Sequence, residues 1–395
     1  MHDEVTARQR ALTLRLGDQP VQSICQALGR SPRWFHKWWR RYLEAGAEGL
    51  YDLTHASPHV APRLAPELER AILCIRRRLQ AHASPTTRYC LIGASAILAE
   101  LQALDIQPLP NPRTIERVLQ RHGLTAPRVR LAPLLPRQEW PGPAARASNE
   151  LHEVDLVGPV YLQGSGHRYY IWVCKDIFDG AVCLRLADSR KMDEVLWFLG
   201  ECWKDLGRPE QVQFDNAREL AGWGQSARAL SRVIRLCLRF GVSPVFIPEG
   251  EPQFNGSAEN FNGWFQEPLF QHHFRRPGDL RRELARLQEV VNSQHVHPRL
   301  GGQTPAQHRR GLRLQKLPAI LVGPTGRLPL AEGRVTFIRR VSWAGTVTVL
   351  SQSFRVGKKH KGLYLRLVID TGRGKLTAYL NGRVLRRWPY QLLNG

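Results

Sequence analysis

Three observations predict a multidomain α+β chain. Apolar residues recur at helical spacing over residues 1–125, in pairs of segments broken by short turns. From residue 148, strand-like and helix-like segments alternate. Over 328–392, short alternating strands are separated by Gly, Asn and Ser turns. A chain of 395 residues has room for several domains and at least one sizeable core.

In the first block, Val21, Ile24, Cys25 and Leu28 share a helical face and Gly29 breaks the pattern. Ser31-Pro32 supplies an N-cap and first-turn proline for a second helix through Trp34, Phe35, Trp38, Trp39, Tyr42 and Leu43. Helix, Gly-containing turn and helix make a helix-turn-helix pattern, assigned to 1–60. Arg33, His36, Lys37, Arg40 and Arg41 give the second helix a basic outer side, as a helix lying in the DNA major groove requires, and Arg30, Arg33, His36, Lys37 and Arg40 are the candidate DNA contacts. An αα-hairpin with a solvated basic face fits these residues equally well. The three tryptophans read as packing rather than as base-stacking groups.

Residues 61–125 repeat the pattern. Ala96, Ile97, Leu98 and Leu101 suggest a helix, and 105–110 a turn. Asn111-Pro112 then caps a helix through Ile115, Val118 and Leu119 that ends at Gly123. Arg113, Arg117 and Arg121 lie along one stripe, the first two as candidate DNA contacts. Residues 126–147 hold five prolines with Arg128, Arg130, Arg137 and Arg146, a stiffened basic linker in which Arg128 and Arg130 are candidate DNA contacts.

Over 148–312 the expected strands are 151–157, 168–175, 181–187, 211–214 and 244–247. The expected helices are 191–206, 225–240, 256–271 and 280–292. Three strands in a meander, then helix–strand–helix–strand–helix, is the order of a ribonuclease-H-like α/β domain. Over 326–395 the strands 335–338, 347–350, 363–369, 376–380 and 384–388 predict a small antiparallel β-barrel, with Asn381-Gly382 its strongest hairpin signal. Arg339, Arg340, Lys358, Lys359 and Lys361 dot it with charge, Lys358 and Lys359 being candidate DNA contacts.

Lys+Arg 57 against Asp+Glu 34 gives a net charge of +23. Such a charge repels itself and suits a polyanion, and the predominance of Arg suits phosphate oxygens. No apolar run approaches the ~20 residues that span a bilayer, and the polar, acidic start is unlike a signal peptide. The expectation is a cytoplasmic protein with no membrane partner. The seven cysteines form no C-x-x-C pair, which reads as reduced thiols and excludes a zinc-finger spacing. His272-His273 and His295/His297 lack cysteine neighbours in sequence and read as ordinary histidines.

Three acids stand out by position. Asp155 lies in the first core strand, Asp215 ends the fourth, and Glu259 sits in the opening turns of a helix. If the first and fourth strands pair, all three meet at one sheet edge, where α/β proteins hold ligands. Such a triplet is an oxygen site for hard divalent cations. Two ions about 3.5–4 Å apart activate the attacking oxygen and stabilise the leaving one in phosphodiester displacement.

These residues carry a resemblance. Gly250-Glu251-Pro252-Gln253-Phe254-Asn255-Gly256-Ser257-Ala258-Glu259 resembles the third motif of insertion-sequence transposases with a retroviral-integrase-like DDE core. Asn292, His297-Pro298, Leu300 and Thr304-Pro305-Ala306 resemble the segment that closes such cores. Gly46-Ala47-Glu48-Gly49-Leu50-Tyr51-Asp52 is similar to that family's G-x-x-G-L-x-D run. The resemblance implies a catalytic, metal-binding triad of Asp155, Asp215 and Glu259 and two Mg²⁺ ions, with Mn²⁺ substituting. It also implies double-stranded DNA partners (transposon ends and target), a homo-oligomer on DNA, and a bacterial, nucleoid-associated location. No G-x-x-x-x-G-K-[ST] occurs, so any ATP hydrolysis would come from an accessory ATPase.

The sequence departs from the pattern in places. The 43 residues between Asp215 and Glu259 exceed the usual spacing; the extra ones are placed at 219–228. Literal spacing would select Glu251, which lacks the Asn-Gly context. Gln266 stands where a basic residue is common, so DNA contact passes to Arg275 and Arg276 just beyond. The second Asp is followed by Asn216-Ala217 rather than Asn-Gly. Two other readings stay open: a non-enzymatic DNA-binding protein derived from a transposase, and a nuclease of the same fold without strand joining.

Overall fold

The computed structural model describes residues 2–52, 64–82, 84, 87–125, 141–216, 220, 229–314, 317 and 328–392. The chain divides into two compact units, Met1–Ala65 and Pro66–Gly395.

The first unit holds α1 (His2–Leu16), α2 (Val21–Leu28), α3 (Pro32–Ala45) and a 3-10 turn over Gly46–Leu50. Gly29 closes α2 at φ 60°, a left-handed geometry that a Cβ disfavours. Ser31 Oγ accepts from Trp34 N at 3.2 Å and opens α3. Ala11, Ile24, Cys25 and Phe35 form the core, with Trp34 and Trp39 packed on its margin. Trp38 is buried against cations, the Arg8 and Arg41 guanidinium carbons lying 3.6 and 4.6 Å from its ring centroid. It is a packing residue, as expected.

The second unit opens with α4 (Pro66–Gln80), α5 (Ala94–Ala103) and α6 (Pro112–Arg121), the last capped by Asn111 Oδ1 accepting from Arg113 N at 2.9 Å. Then follow β1 (Leu151–Val160), β2 (Tyr169–Asp176), β3 (Val182–Ala187), α7 (Met192–Leu206), β4 (Gln211–Phe214), α8 (Arg232–Arg239), β5 (Ser243–Phe246), α9 (Gly256–Phe270), α10 (Pro277–Gln294) and α11 (Pro305–Arg309). β1, β2 and β3 form the antiparallel meander, and β4 and β5 join in parallel beside β1. α7 and α8 bury their apolar stripes on one face of the sheet, α9 and α10 theirs on the other. The free edge of β3 is covered by side chains of α10. Asn292 exchanges hydrogen bonds with Val182 N and O at 2.8 and 2.9 Å, and Gln288 Oε1 accepts from Leu184 N at 2.9 Å.

The C-terminal segment does not form the expected barrel. Its strands are β6 (Arg334–Arg340), β7 (Thr346–Val349), β8 (Gln352–Arg355), β9 (Tyr364–Asp370), β10 (Lys375–Leu380) and β11 (Arg383–Pro389). β6 pairs in parallel with β5, through Val245↔Thr336 and Phe246↔Phe337. The result, among the described residues, is one open mixed sheet of nine strands ordered β11-β10-β9-β6-β5-β4-β1-β2-β3, with β7 and β8 as a separate hairpin. The physical reason lies in β5 and β6. β5 would otherwise present a bare apolar edge, and β6 is buried from Val335 to Arg339, as an interior strand must be. Phe246 and Phe337 stack across the join at 5.0 Å. Arg339, expected on the surface, is 5% exposed.

Arg88 and Tyr89 are tied to α10 and to the turn just beyond it. Arg88 Nη1 and Tyr89 OH both donate to Glu283 Oε1, at 2.7 and 2.8 Å, and His295 Nε2 donates to Tyr89 O at 2.7 Å. Burial, with His297 and Lys175 adding to it, pushes the His295 pKa down to about 4. The unfolded value lies near 6.5, so the native state binds fewer protons between the two. Stability from this group should be complete above about pH 6.5 and be lost as pH falls toward 4, by up to roughly 3 kcal/mol. His295→Gln should flatten that part of a Tm-against-pH curve. An unchanged slope would assign the acid sensitivity elsewhere.

No helix among the described residues is long and apolar enough to cross a membrane.

Candidate active site

β1 and β4 are neighbours in register from Leu151↔Gln211 to Glu153↔Gln213. Continued at the same offset, that register sets Asp155 level with Asp215, just past the carboxyl end of β4. Glu259 lies in the first turn of α9, which packs across β1. Burial pushes the Asp155 carboxyl up to about 6, and the negative charges of Asp215 and Glu259 push it the same way. Asp155 is held on both oxygens: Leu156 N donates to Oδ1 at 2.9 Å, and Asn262 Nδ2 to Oδ2 at 2.7 Å. Asn262 stands one helical turn beyond Glu259, so α9 brings a carboxylate and an orienting amide together. The structure thus brings the three acids to one place.

What fixes α9 there is a residue the sequence reading passed over. Glu153, 6% exposed, is on β1 two residues before Asp155 and faces the same side of the sheet. Its Oε2 accepts from Ala258 N at 2.8 Å and its Oε1 from Gln213 Nε2 at 3.2 Å. Burial raises its pKa to about 7, against the opposing pull of the Ala258 hydrogen bond and Lys175. Asn255, buried before α9, donates to Val154 O at 3.3 Å, and Lys175 Nζ donates to Ser257 O at 3.2 Å. The Asn-Gly context of the third motif is therefore a tether between β1 and the helix carrying Glu259. An acid at alternate spacing in an otherwise apolar strand was the available signal.

Asp155 and Asp215 line a cleft of about 320 Å³ together with Arg168, Tyr170, Trp172 and Arg190. Arg168 and Arg190 were not singled out in the sequence; both bring positive charge beside the acids. Beyond Asp215, Asn216 is braced from the C-terminal sheet: Arg339 Nη2 donates to its Oδ1 at 2.8 Å and Nη1 to Ile247 O at 3.0 Å. Burial pushes the Arg339 pKa down to about 10. Glu251 faces elsewhere, its carboxylate accepting from the Tyr364 hydroxyl of β9. Three carboxylates with an all-oxygen donor set fit hard divalent cations.

Arg33, His36, Lys37 and Arg40 lie exposed on α3, opposite its buried Phe35 and Trp38. Arg30 is engaged by Glu4 and lies 5.5 Å over Trp34. Arg113 and Arg117 are exposed on α6, opposite Ile115, Val118 and Leu119. Arg275 and Arg276 are exposed before α10, Arg275 Nε donating to Gln163 Oε1 at 3.2 Å. Lys358 and Lys359 are exposed in a 3-10 turn (Lys358–His360) between β8 and β9. Arg128, Arg130, most of the linker and most of the 219–228 insertion lie outside the described residues, as does Ala217. Gln266 turns back on its own helix, donating to Asn262 O at 3.0 Å.

Fold and site define a helix-turn-helix protein with an integrase-like core. Residues 3–51 match the homeodomain-like domain family, and residues 240–305 match the integrase core domain family. Among solved structures, the chain is similar to the catalytic core domain of HTLV-2 integrase in complex with magnesium, at 18% identity and a TM-score of 0.33, over 41% of this chain and 98% of that one. It is similar to the BIV integrase catalytic core domain at 16% identity and TM-score 0.31, over 40% and 93%. It is also similar to the simian T-cell lymphotropic virus intasome in complex with PP2A regulatory subunit B56 gamma. There the identity is 15% and the TM-score 0.36, over 79% of this chain and 98% of that one.

Proposed function

We propose that this protein is a DNA transposase that binds transposon ends, cleaves them and joins the 3′-OH to target DNA. The observation that carries the reading is the convergence of Asp155, Asp215 and Glu259 on an integrase-like core, in a chain that also carries a basic helix-turn-helix unit. Asp155, Asp215 and Glu259 would together hold the two divalent ions. Bound there, Mg²⁺ or Mn²⁺ would supply activation of the attacking oxygen and charge neutralisation at the leaving one. The chain's own part is positioning. Asn262 and Leu156 N fix both Asp155 oxygens, Glu153 and Asn255 fix the helix of Glu259, and Arg168 and Arg190 attract the scissile phosphate. In this reading residues 1–60 and 61–125 grip end DNA, 148–312 carry the chemistry and 326–395 add basic surface. Joining two ends to one target calls for at least two protomers assembled on DNA.

Incubating the full chain with end-containing duplexes, target DNA and Mg²⁺ or Mn²⁺ tests this directly. Products in which ends are joined to target support transposition. Nicks without joining indicate a nuclease, and binding without any cut indicates a DNA-binding protein.

Recognition should reside on α3. Replacing Arg33, Lys37 and Arg40 together by alanine should lower the preference for end over random duplex by roughly tenfold or more, since base-edge contacts are worth about 1–3 kcal/mol each. Competition binding at fixed salt measures it. Unchanged preference would make the first unit a packing element.

A further inference from the structure

The pleat that turns Glu153 and Asp155 toward α9 turns His152 the other way, into the layer beneath α7. There His152 of β1, Cys174 of β2 and Cys202 of α7 converge, one ligand atom of each lying within 4.8 Å of the other two. All three are fully buried. His152 Nε2 faces acceptors, Asn149 Oδ1 at 3.0 Å and Asp176 Oδ2 at 3.5 Å, so that nitrogen carries the proton. Asn149 Oδ1 also accepts from Arg309 Nη1 at 3.4 Å, consistent with that amide orientation. Asp176 is fixed in turn by Arg309 Nη2 at 2.7 Å and Asn149 N at 2.6 Å. The Nδ1 lone pair is left pointing at Cys174 Sγ, 3.5 Å away. A carboxylate and an amide oxygen that pin one imidazole nitrogen while the other faces sulfur make the outer arrangement of a metal-ligating histidine. Cys202 hydrogen-bonds to Cys174 and also to Cys183 of β3, the cross-strand partner of Cys174.

We propose that His152 Nδ1, Cys174 Sγ and Cys202 Sγ are the protein ligands of a structural zinc ion. Thiolate and imidazole are zinc's preferred donors. Binding forms one Zn–N and two Zn–S bonds and releases two thiol protons. The donors come from three separate elements, which is why no C-x-x-C spacing announces them. The ion would tie the strand of Asp155 to β2 and α7. The all-oxygen cleft on the other face favours harder ions, so the two sites would sort different metals.

The full chain, purified without chelator and exchanged into metal-free buffer, should retain one zinc per chain by elemental analysis. Cys174→Ala and Cys202→Ala should each lose it, whereas Cys74→Ala, at an exposed cysteine of α4, should keep it. Should a core variant not fold, wild-type protein expressed in zinc-poor, Co²⁺-supplemented medium decides instead. It should show near-ultraviolet thiolate-to-cobalt charge-transfer bands, which carboxylates do not produce. Wild-type protein without those bands, or zinc retained in both core variants, would overturn the proposal.

Discussion

Asp155→Asn, Asp215→Asn and Glu259→Gln should each reduce cleavage and joining by about a thousandfold or more, the scale of several kcal/mol of lost charge stabilisation. Binding to end DNA should persist, because each change removes a carboxylate and no basic contact. Glu251→Gln is the control: its carboxylate meets Tyr364, whereas the charges acting on Asp155 come from Asp215 and Glu259. Cleavage rates and electrophoretic binding on the same end duplex read both quantities. An inactive Glu251→Gln beside an active Glu259→Gln would move the third acid to Glu251.

Glu153→Ala should be the most damaging single change outside the triad. It strips the acceptor from Ala258 N in a buried site and leaves Lys175 without its nearby counter-charge, while Gln213 Nε2 keeps Phe254 O at 3.0 Å. An unsatisfied buried donor costs about 1–3 kcal/mol, and with the lost counter-charge a loss of roughly 2–4 kcal/mol is expected in urea unfolding. Glu153→Gln keeps one acceptor oxygen and the side chain's shape, and should cost about 1 kcal/mol. Folded Glu153→Ala protein should also cleave slowly, since Ala258 immediately precedes Glu259. Equal stability of the two variants would show that the hydrogen bonds to α9 contribute little.

Much of this architecture was legible in the residues. Helical periodicity located α2, α3, α6 and α7, and strand alternation located β1 to β5. Asn381-Gly382 marked a hairpin whose two turn residues do take positive φ, 48° and 75°. The hairpin of β7 and β8 was hidden because Leu350 and Ser351 adopt φ 44° and 62° without the residue types that usually signal such a turn. The barrel was a wrong inference of a different kind. Alternation reports that a strand is buried, but not which strand it pairs with, and β6 finds its partner on β5. At the site, the three acids announced themselves by standing in apolar or motif surroundings. Glu153 and Arg339 act through partners distant in sequence, and Arg168 and Arg190 reach the cleft only through the fold, so no local pattern encodes them.

The parallel join of β5 to β6 bears on how the chain must be synthesised. β5 emerges from the ribosome well before β6, with the helices from α9 to α11 translated in between. Throughout that interval Val245 and Phe246 lie along an unpaired strand edge, a template for association with other nascent chains. A reading frame stopped before residue 334 would therefore yield aggregated product rather than a shorter protein with weakened DNA affinity. It would also lack Arg339, and with it the brace on Asn216 beside Asp215.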